Sequence, residues 1–377
     1  MTPKASNPQS DPLAKEAADE AALYYLAEEH RKEGRLAEAE AVYRELLARA
    51  PYHLSALGSL ESLLAEQGRE KETAGIRKQR TKAEARNAYT IGKALTAESE
   101  YEQAVPFFER AIELRPDYKK AYWRLAETFG HLNRNEEALR CYRRYRELDP
   151  ESVGAEFMIA ALGEGEMPPR PPEIYVRNYF NGYAETFDEH LCNSLNYRGP
   201  EILFEYVRRV VDRNADPLDV LDIGCGTGLA GVRLRALART LIGIDLSEKM
   251  LDAAKARGLY DALYPGDALA FLEQTPEASY DLLIACDSLV YLGDLESLMI
   301  AAFRVLRPGG FFAFSLEKGD AAGFTLQASG RYAHHPDYLA HLVRVRFRFR
   351  ERGEEILRLE FGKPVVELIY VLEKVLN

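Results

Sequence analysis

Two hydrophobic rhythms divide this chain. In the first half, apolar and small residues recur at spacings of three and four, as in Leu23/Leu26/Ala27, Ile91/Gly92/Leu95 and Tyr122/Leu125/Ala126/Phe129. That period stacks side chains on one helical face and predicts paired helices. From Asp219 onward, short apolar runs at 220–223, 241–244 and 282–285 alternate with helical stretches. Such alternation predicts a mainly parallel, doubly wound sheet with its ligand at the carboxyl ends of the strands. Residues 342–350 and 355–360 alternate apolar and polar positions, and 365–373 is more continuously apolar. These predict late strands, antiparallel to the rest. Between the two regions runs Gly-Glu-Gly-Glu-Met-Pro-Pro-Arg-Pro-Pro (163–172), a semi-rigid linker by composition, because proline cannot continue a helix. The expected organisation is a disordered N-terminus (1–17), helical repeats (18–163), a linker (164–173) and an α/β domain (174–377).

The helical half repeats itself. Gly34-x-Leu36-x-x-Ala39-x-x-x-Tyr43 ends at Pro51, Tyr101-x-x-Ala104-x-x-x-Phe108-x-x-Ala111 ends at Pro116, and Ala138-x-x-x-Tyr142 ends at Pro150. Pro116 and Pro150 stand one 34-residue period apart, and the units resemble tetratricopeptide (TPR) repeats. Ala27, Gly92 and Ala126 are the small residues at which paired helices approach closely. Residues 54 to about 82 fit a degenerate unit, a helix–turn–helix with Gly68 at the turn. The resemblance implies an all-α solenoid whose concave side docks a peptide or protein partner, the chain's own second domain or a second copy.

The most chemical stretch is Asp222-Ile223-Gly224-Cys225-Gly226-Thr227-Gly228, at the end of an apolar run. Alternate glycines let the backbone turn sharply and bring peptide groups against a ligand. Gly226 to Gly231 also fits G-x-G-x-x-G, the dinucleotide fingerprint. The wider pattern resembles the class I S-adenosylmethionine (SAM) dependent methyltransferases, an α/β Rossmann-like family. A second strand ends in Asp245, Gly266-Asp267-Ala268 follows the next, Tyr280 to Asp287 reads as a fourth, and Val305-Leu306-Arg307-Pro308-Gly309-Gly310 turns into a fifth. The resemblance implies that Asp222 orients the ammonium of SAM through water or backbone. It implies that Asp245 accepts the ribose hydroxyls and Asp267 the adenine amine. It places Gly224, Cys225, Gly226, Gly228, Leu246, Met250, Gly266, Ala268 and Cys286 at the cofactor, with S-adenosylhomocysteine (SAH) as product. Tyr179 to Asp188 resembles the Y-A-x-x-F-D segment that precedes this motif in small-molecule methyltransferases, where it forms a lid. Tyr179, Tyr183 and Phe187 then cover SAM, or else they are plain core aromatics at helical spacing.

An electrophilic methyl group needs an aligned nucleophile and exclusion of water more than a catalytic dyad. Gln327, Arg331, Tyr332, His334, His335 and Tyr338 cluster after the fifth strand. His334 is the candidate general base, with capping of the next helix or a place at the surface as its structural alternatives. Tyr183, Arg331 and Tyr332 are candidate positioning groups. Cys286 reads as a small wall residue rather than a nucleophile. Arg344, Arg346, Arg348 and Arg350 fall on one face of an expected strand and read as a solvated face paired with Glu354, Glu355 and Glu360.

Composition narrows the partners. The 377 residues carry a net charge of −11, which excludes wholesale electrostatic binding to nucleic acid. Four cysteines (Cys141, Cys192, Cys225, Cys286) show no C-x-x-C spacing and suggest reduced cytoplasmic thiols. No metal site, signal peptide or membrane-spanning run is expected. The leading reading is methyl transfer from SAM to O or N of a small organic acceptor, the TPR array serving docking or a homo-oligomer. The rivals are a protein or peptide methyltransferase with a TPR-bound substrate, and a TPR adaptor with a silent SAM domain.

Overall fold

The computed structural model describes residues 12–189, 191, 197–211, 216–360 and 363–375. It divides into two compact units, meeting in sequence between Asp149 and Pro150. The boundary falls before the expected linker, so the helix at residues 153–161 belongs to the C-terminal unit.

The N-terminal unit contains α1 (Pro12–Lys32), α2 (Leu36–Arg49), α3 (Leu54–Glu66), α4 (Glu70–Ala97), α5 (Tyr101–Leu114), α6 (Lys119–His131) and α7 (Asn135–Leu148). Each helix packs on the next through α6 and α7. The motif residues form the core: Ala27, Ala39, Tyr43, Ala104, Phe108, Ala111, Leu125, Ala126, Phe129, Ala138 and Tyr142 are all buried. A Cβ on Gly92 would lie 2.8 Å from the Phe108 ring, which makes this glycine a condition of the α4–α5 approach.

Two expectations are corrected here. Helix α1 begins at Pro12, so residues 12–17 of the supposed disordered N-terminus are helical, while 1–11 lie outside the described residues. Proline suits the first turn of a helix, and Leu-Ala-Lys-Glu-Ala-Ala behind it favours continuation. The degenerate unit does turn at Gly68, with φ of +70°. Its second helix does not stop near residue 82 but runs unbroken to Ala97. Residues 76–91 hold neither glycine nor proline, so nothing local interrupts the hydrogen-bond ladder.

The C-terminal unit contains α8 (Val153–Ala161), α9 (Glu173–Tyr183), α10 (Phe187–Glu189), α11 (Gly199–Val210), β1 (Leu218–Ile223), α12 (Gly231–Leu234), β2 (Ala238–Asp245) and α13 (Glu248–Ala256). There follow β3 (Ala262–Pro265), α14 (Ala268–Gln274), β4 (Tyr280–Ala285), α15 (Glu296–Val305), β5 (Leu306–Lys318), β6 (Phe324–Leu326), β7 (Tyr332–His334), α16 (Pro336–Val343), β8 (Phe347–Glu360) and β9 (Lys363–Lys374). Strands β3-β2-β1-β4-β5 are parallel neighbours. Strand β9 joins β5 antiparallel, and β8 pairs with β9. A small β6–β7 hairpin hangs from the end of β5. Alternate strand residues feed the two faces. Leu221, Ile223, Leu283, Phe312 and Phe314 join Leu298, Met299 and Ala302 of α15. Val220, Leu282, Ile284 and Ala313 join Leu203 and Val207 of α11.

The arginine-rich strand is corrected too. His335 caps α16, with Pro336 in its first turn, and Leu339 and Val343 carry the helix into the core, so β8 starts only at Phe347. Arg344 and Arg346 therefore precede the strand. Arg348 and Arg350 lie on it, both beside Glu373, at 4.0 and 3.2 Å. Glu354 pairs with Lys318 instead, and Glu355 accepts from the Tyr206 hydroxyl.

Candidate active site

After β1 the chain turns through Gly224, Gly226 and Gly228, with φ of +66°, +54° and +87°. A Cβ on Gly224 would meet Ser288 Cβ at 2.5 Å, and one on Gly228 the Tyr260 ring at 3.0 Å. Packing alone requires these two glycines. Around a Cβ on Gly226 the nearest atom is Phe187 Cε1 at 3.9 Å, so this face of the loop is open to a ligand. Asp245, at the end of β2, holds the loop in place. Its Oδ2 accepts from the Gly226 N–H at 2.9 Å and its Oδ1 from the Ser247 N–H at 2.8 Å. Burial raises the Asp245 carboxyl pKa against the opposing effect of those two donors.

Several expected cofactor residues support the loop from behind. Asp222 is buried, and its Oδ2 accepts from the Tyr260 hydroxyl at 2.7 Å. Burial pushes its pKa up to about 7, opposed by that hydrogen bond and assisted by the nearby Asp245 charge. A carboxylate facing Tyr260 braces the glycine turn. Cys225 and Met250 are likewise buried. Cys225 Sγ lies against Gly243, and Met250 donates its N–H to the capping Ser247 Oγ. Leu246 is half-buried beside them.

At the next strand end, Gly266 donates its N–H to the Asp245 carbonyl, and Asp267 caps α14, which starts at Ala268. Asp267 Oδ1 accepts from the Ala270 N–H at 2.9 Å, and Oδ2 lies 2.6 Å from Arg170 Nη2. Arg170 belongs to the proline-rich stretch, which is fastened rather than a free linker. The Pro169 carbonyl accepts from the Gly293 and Asp294 N–H groups, and the Pro168 carbonyl from the Tyr332 hydroxyl at 2.7 Å. Prolines have no N–H to offer and stay extended, which leaves their carbonyls as docking acceptors.

The aromatic segment sits over the open loop. Tyr183 stacks edge-on to Phe187 (5.1 Å), Tyr179 lies near Tyr183 (6.0 Å), and Phe180 touches Phe187 and Tyr291. Tyr179 is 43% exposed, which is unlike a core residue. Two polar ties hold the segment. Asp188 accepts from Thr227 Oγ1 at 2.5 Å and pairs with Arg257, while Asn181 Oδ1 accepts from Ser247 Oγ at 2.7 Å.

The expected acceptor-side residues fare differently. His334 is completely buried on β7, with Nε2 2.9 Å from the Gly293 carbonyl. Burial pushes its pKa down to about 4, against the backbone hydrogen bonds. This imidazole is a structural neutral group and is not placed to act as a general base. His335, not His334, caps α16. Tyr332 is also fully buried and spends its hydroxyl on Pro168. Both were drawn inward because the segment forms strand β7, whose short length hid it from pattern reading. Arg331 does reach the aromatic group, its Nε 3.3 Å from the Tyr291 hydroxyl. Cys286 is half-buried with Sγ 3.3 Å from the Tyr197 hydroxyl, and burial pushes its thiol up, as suits a wall residue. Cys192 lies outside the described residues. The sequence reading named Asp188 only as the last residue of the Y-A-x-x-F-D segment, without its ties, and it missed Arg170, Tyr291 and a buried Arg358, which carry no local signal. Among the described residues no His/Cys/Asp/Glu group is arranged to hold a metal ion, and no helix is long and apolar enough to cross a membrane.

Residues 221–314, spanning β1 to β5, match the family model described as "Methyltransferase domain". The C-terminal unit is a class I SAM-dependent methyltransferase domain. Residues 95–157 match a "Tetratricopeptide repeat" model. Similar curated proteins include a ubiquinone biosynthesis O-methyltransferase of Paracidovorax citrulli, 31% identical over 29% of this chain and 48% of that protein. A malonyl-[acyl-carrier protein] O-methyltransferase of Erwinia pyrifoliae is 31% identical over 45% of this chain and 55% of that protein. The chain thus spans about half the length of these relatives. Among solved structures, a Burkholderia thailandensis 1,6-didemethyltoxoflavin-N1-methyltransferase with bound SAH is 17% identical, over 56% of this chain and 93% of that one, with a TM-score of 0.43.

Proposed function

We propose that this protein transfers the methyl group of SAM to an oxygen or nitrogen atom of a small organic acceptor in the cytoplasm. The observation that carries the reading is the open face of Gly226, bounded by Asp245 below and by Phe187 and its aromatic neighbours above. SAM supplies an electrophilic methyl group on a sulfonium. The chain's own residues bind and shield. Gly226 offers backbone without a side chain, Asp245 would accept ribose hydroxyls, and Asp267 would accept the adenine amine beside Arg170. Tyr179, Tyr183 and Phe187 exclude water from the reacting atoms. The names of the curated relatives, both O-methyltransferases, are in keeping with an oxygen acceptor.

A second reading makes the acceptor a protein or peptide held by a TPR solenoid. A 610 Å³ cavity lined by Arg86, Tyr89, Thr90, Lys93, Ala94, Tyr118 and Lys120 supports it, since this basic and aromatic lining suits an acidic segment. Calorimetry tests the cofactor: SAM and SAH bind, Asp245→Ala weakens both at least tenfold, and NADH does not bind. NADH binding without SAM binding overturns the assignment. Labelled SAM offered with a metabolite pool or a proteome separates the two acceptor readings. The label enters small molecules in the first case and protein in the second.

A further inference from the structure

The helical unit gathers cations around one cavity without giving them partners. Arg86 and Lys93 stand two turns apart on one side of α4, a rise of ~10.5 Å, and Lys120 enters from the first turn of α6. All three are exposed and line the 610 Å³ cavity, and no acid among the described residues lines it. None of the three has an acidic partner among the described residues. Arginines close by do hold carboxylates: Arg80 pairs with Glu61, Arg115 with Asp117 and Arg124 with Glu127.

Lys120 is misplaced by local rules. The positive end of a helix favours acids. Helices α2, α4, α5 and α7 carry them in the first turn, as Glu38, Glu70, Glu102 and Glu136, whereas α6 opens with Lys119 and Lys120. Asp149 relieves Lys119 at 2.8 Å; Lys120 has no such relief. The repulsion among these like charges and the helix end is a cost that a bound anion removes. The cavity wall is already rigid. The Tyr89 ring packs near buried Phe108 (5.9 Å) and near Tyr118 (5.2 Å), and Arg115 stacks over Tyr118 at 4.8 Å. Arg86 lies over the Tyr52 ring at 4.2 Å, which holds its fork beside the cavity. The Tyr118 hydroxyl has no hydrogen-bond partner among the described residues.

We propose that this cavity is a binding site for a phosphate monoester. Charge decides between the candidate anions. A carboxylate brings a single negative charge, whereas a phosphate monoester brings about −1.5 to −2 at pH 7 and three acceptor oxygens. The unpaired Arg86, Lys93 and Lys120 match the second. The Arg86 fork suits phosphate oxygens in pairs, Lys93 and Lys120 act as point charges, and the Tyr118 hydroxyl is a neutral donor. The Tyr89 and Tyr118 rings offer a flat surface to the organic part of the ester. The volume lies within the ~300–1,000 Å³ of small-ligand sites. A chain of net charge −11 has no general attraction for anions, so such binding belongs to this cavity. The phosphate can arrive on a free small molecule or on a phosphorylated peptide side chain. Neither acceptor reading above is needed for the site.

Calorimetry on the full chain at low salt tests this with glycerol phosphate, a short phosphoserine peptide, and the same peptide carrying serine or glutamate instead. Both phosphorylated probes should bind, the serine peptide should not, and the glutamate peptide should bind at least about tenfold more weakly than the phosphopeptide. This ranking is read on the wild type and needs no variant. Arg86→Lys, which keeps the charge but loses the fork, and Lys93→Gln and Lys120→Gln should each weaken the phosphopeptide about tenfold. Lys78→Gln, which removes an exposed lysine of α4 away from the cavity, should not. A phosphopeptide less than about tenfold tighter than glycerol phosphate marks a free ester as the ligand; a larger margin marks a phosphorylated protein. The proposal is overturned if no phosphorylated probe binds, if the glutamate peptide binds as tightly as the phosphopeptide, if folded cavity variants bind like the wild type, or if Lys78→Gln weakens binding as much as they do. SAH is titrated into the same samples. Loss of SAH binding with phosphate binding retained counts against the methyltransferase reading alone, and the reverse counts against the phosphate site alone.

Discussion

Arg170 and Asp267 form an ion pair, Nη2 to Oδ2 at 2.6 Å, across 97 positions of sequence. Asp267 is the carboxylate that the motif pattern assigns to the adenine amine, and in this structure both of its oxygens already have donors, Oδ1 the Ala270 N–H and Oδ2 Arg170. Partly exposed pairs of this kind contribute about 0.2–1 kcal/mol. Arg170→Ala is therefore expected to tighten SAH binding by up to about fivefold in a calorimetric titration. Weaker binding instead would mean that the guanidinium holds the nucleotide.

Asp188 ties the aromatic segment to the glycine loop through Thr227 and Arg257. In the wild type, residues 179–188 should gain protection from hydrogen exchange when SAH binds. Asp188→Ala should speed exchange there in the free protein and weaken SAH about tenfold, equivalent to ~1.4 kcal/mol. Equal exchange in both proteins would reduce these aromatics to ordinary packing.

The buried His334 makes a pH prediction with a definite sign. Its folded pKa, about 4, lies below the ordinary 6.5. Stability from the neutral ring is complete above pH 6.5 and falls as pH drops toward 4, because the unfolded chain takes up the proton first. Of the net change that denaturant titrations read, this ring contributes a loss of roughly 2–3 kcal/mol across that window, against the opposite contribution of buried Asp222, whose raised pKa relieves its cost as pH falls. In His334→Gln, which keeps a donor for Gly293, the slope should flatten. Methyl transfer at pH 7.5 should survive, since this ring is enclosed; a hundredfold fall in kcat with intact folding would restore it as a base.

Gly92→Ala probes the helical unit. Its new Cβ would enter the Phe108 ring at 2.8 Å, and overpacking of this kind costs about 1–3 kcal/mol. Thermal unfolding of the N-terminal unit should shift downward while SAH affinity holds. Gly58→Ala, where a Cβ meets nothing within 4 Å, is the control.

Strands β1, β2 and β4 were legible because each is a largely buried apolar run, whereas half-exposed β3 was legible only through the Gly266-Asp267 pair that follows it. Ala39, Tyr43, Ala104 and Phe108 were legible because their spacing matches a helix period. Arg358 was not: in an alternating strand it looks like any outward arginine, and only the approach of β4, β5 and β9 encloses it. His334 was misread for the opposite reason. A polar run reads as surface until a three-residue strand folds it inward. Arg170 stayed hidden because its partner lies 97 residues away, beyond any local pattern.

The 28 residues of α4 make a single rod of ~42 Å, clasped by α3 toward one end and by α5 toward the other. A turn in its middle would have been a firebreak at which the two halves of the helical unit could melt separately. Without it, α3 and α5 lean on one continuous hydrogen-bond ladder that has no local break between them. Damage at either end is therefore felt as one event across the unit, and proteolysis should pass from the intact unit to small fragments without a stable half-length survivor.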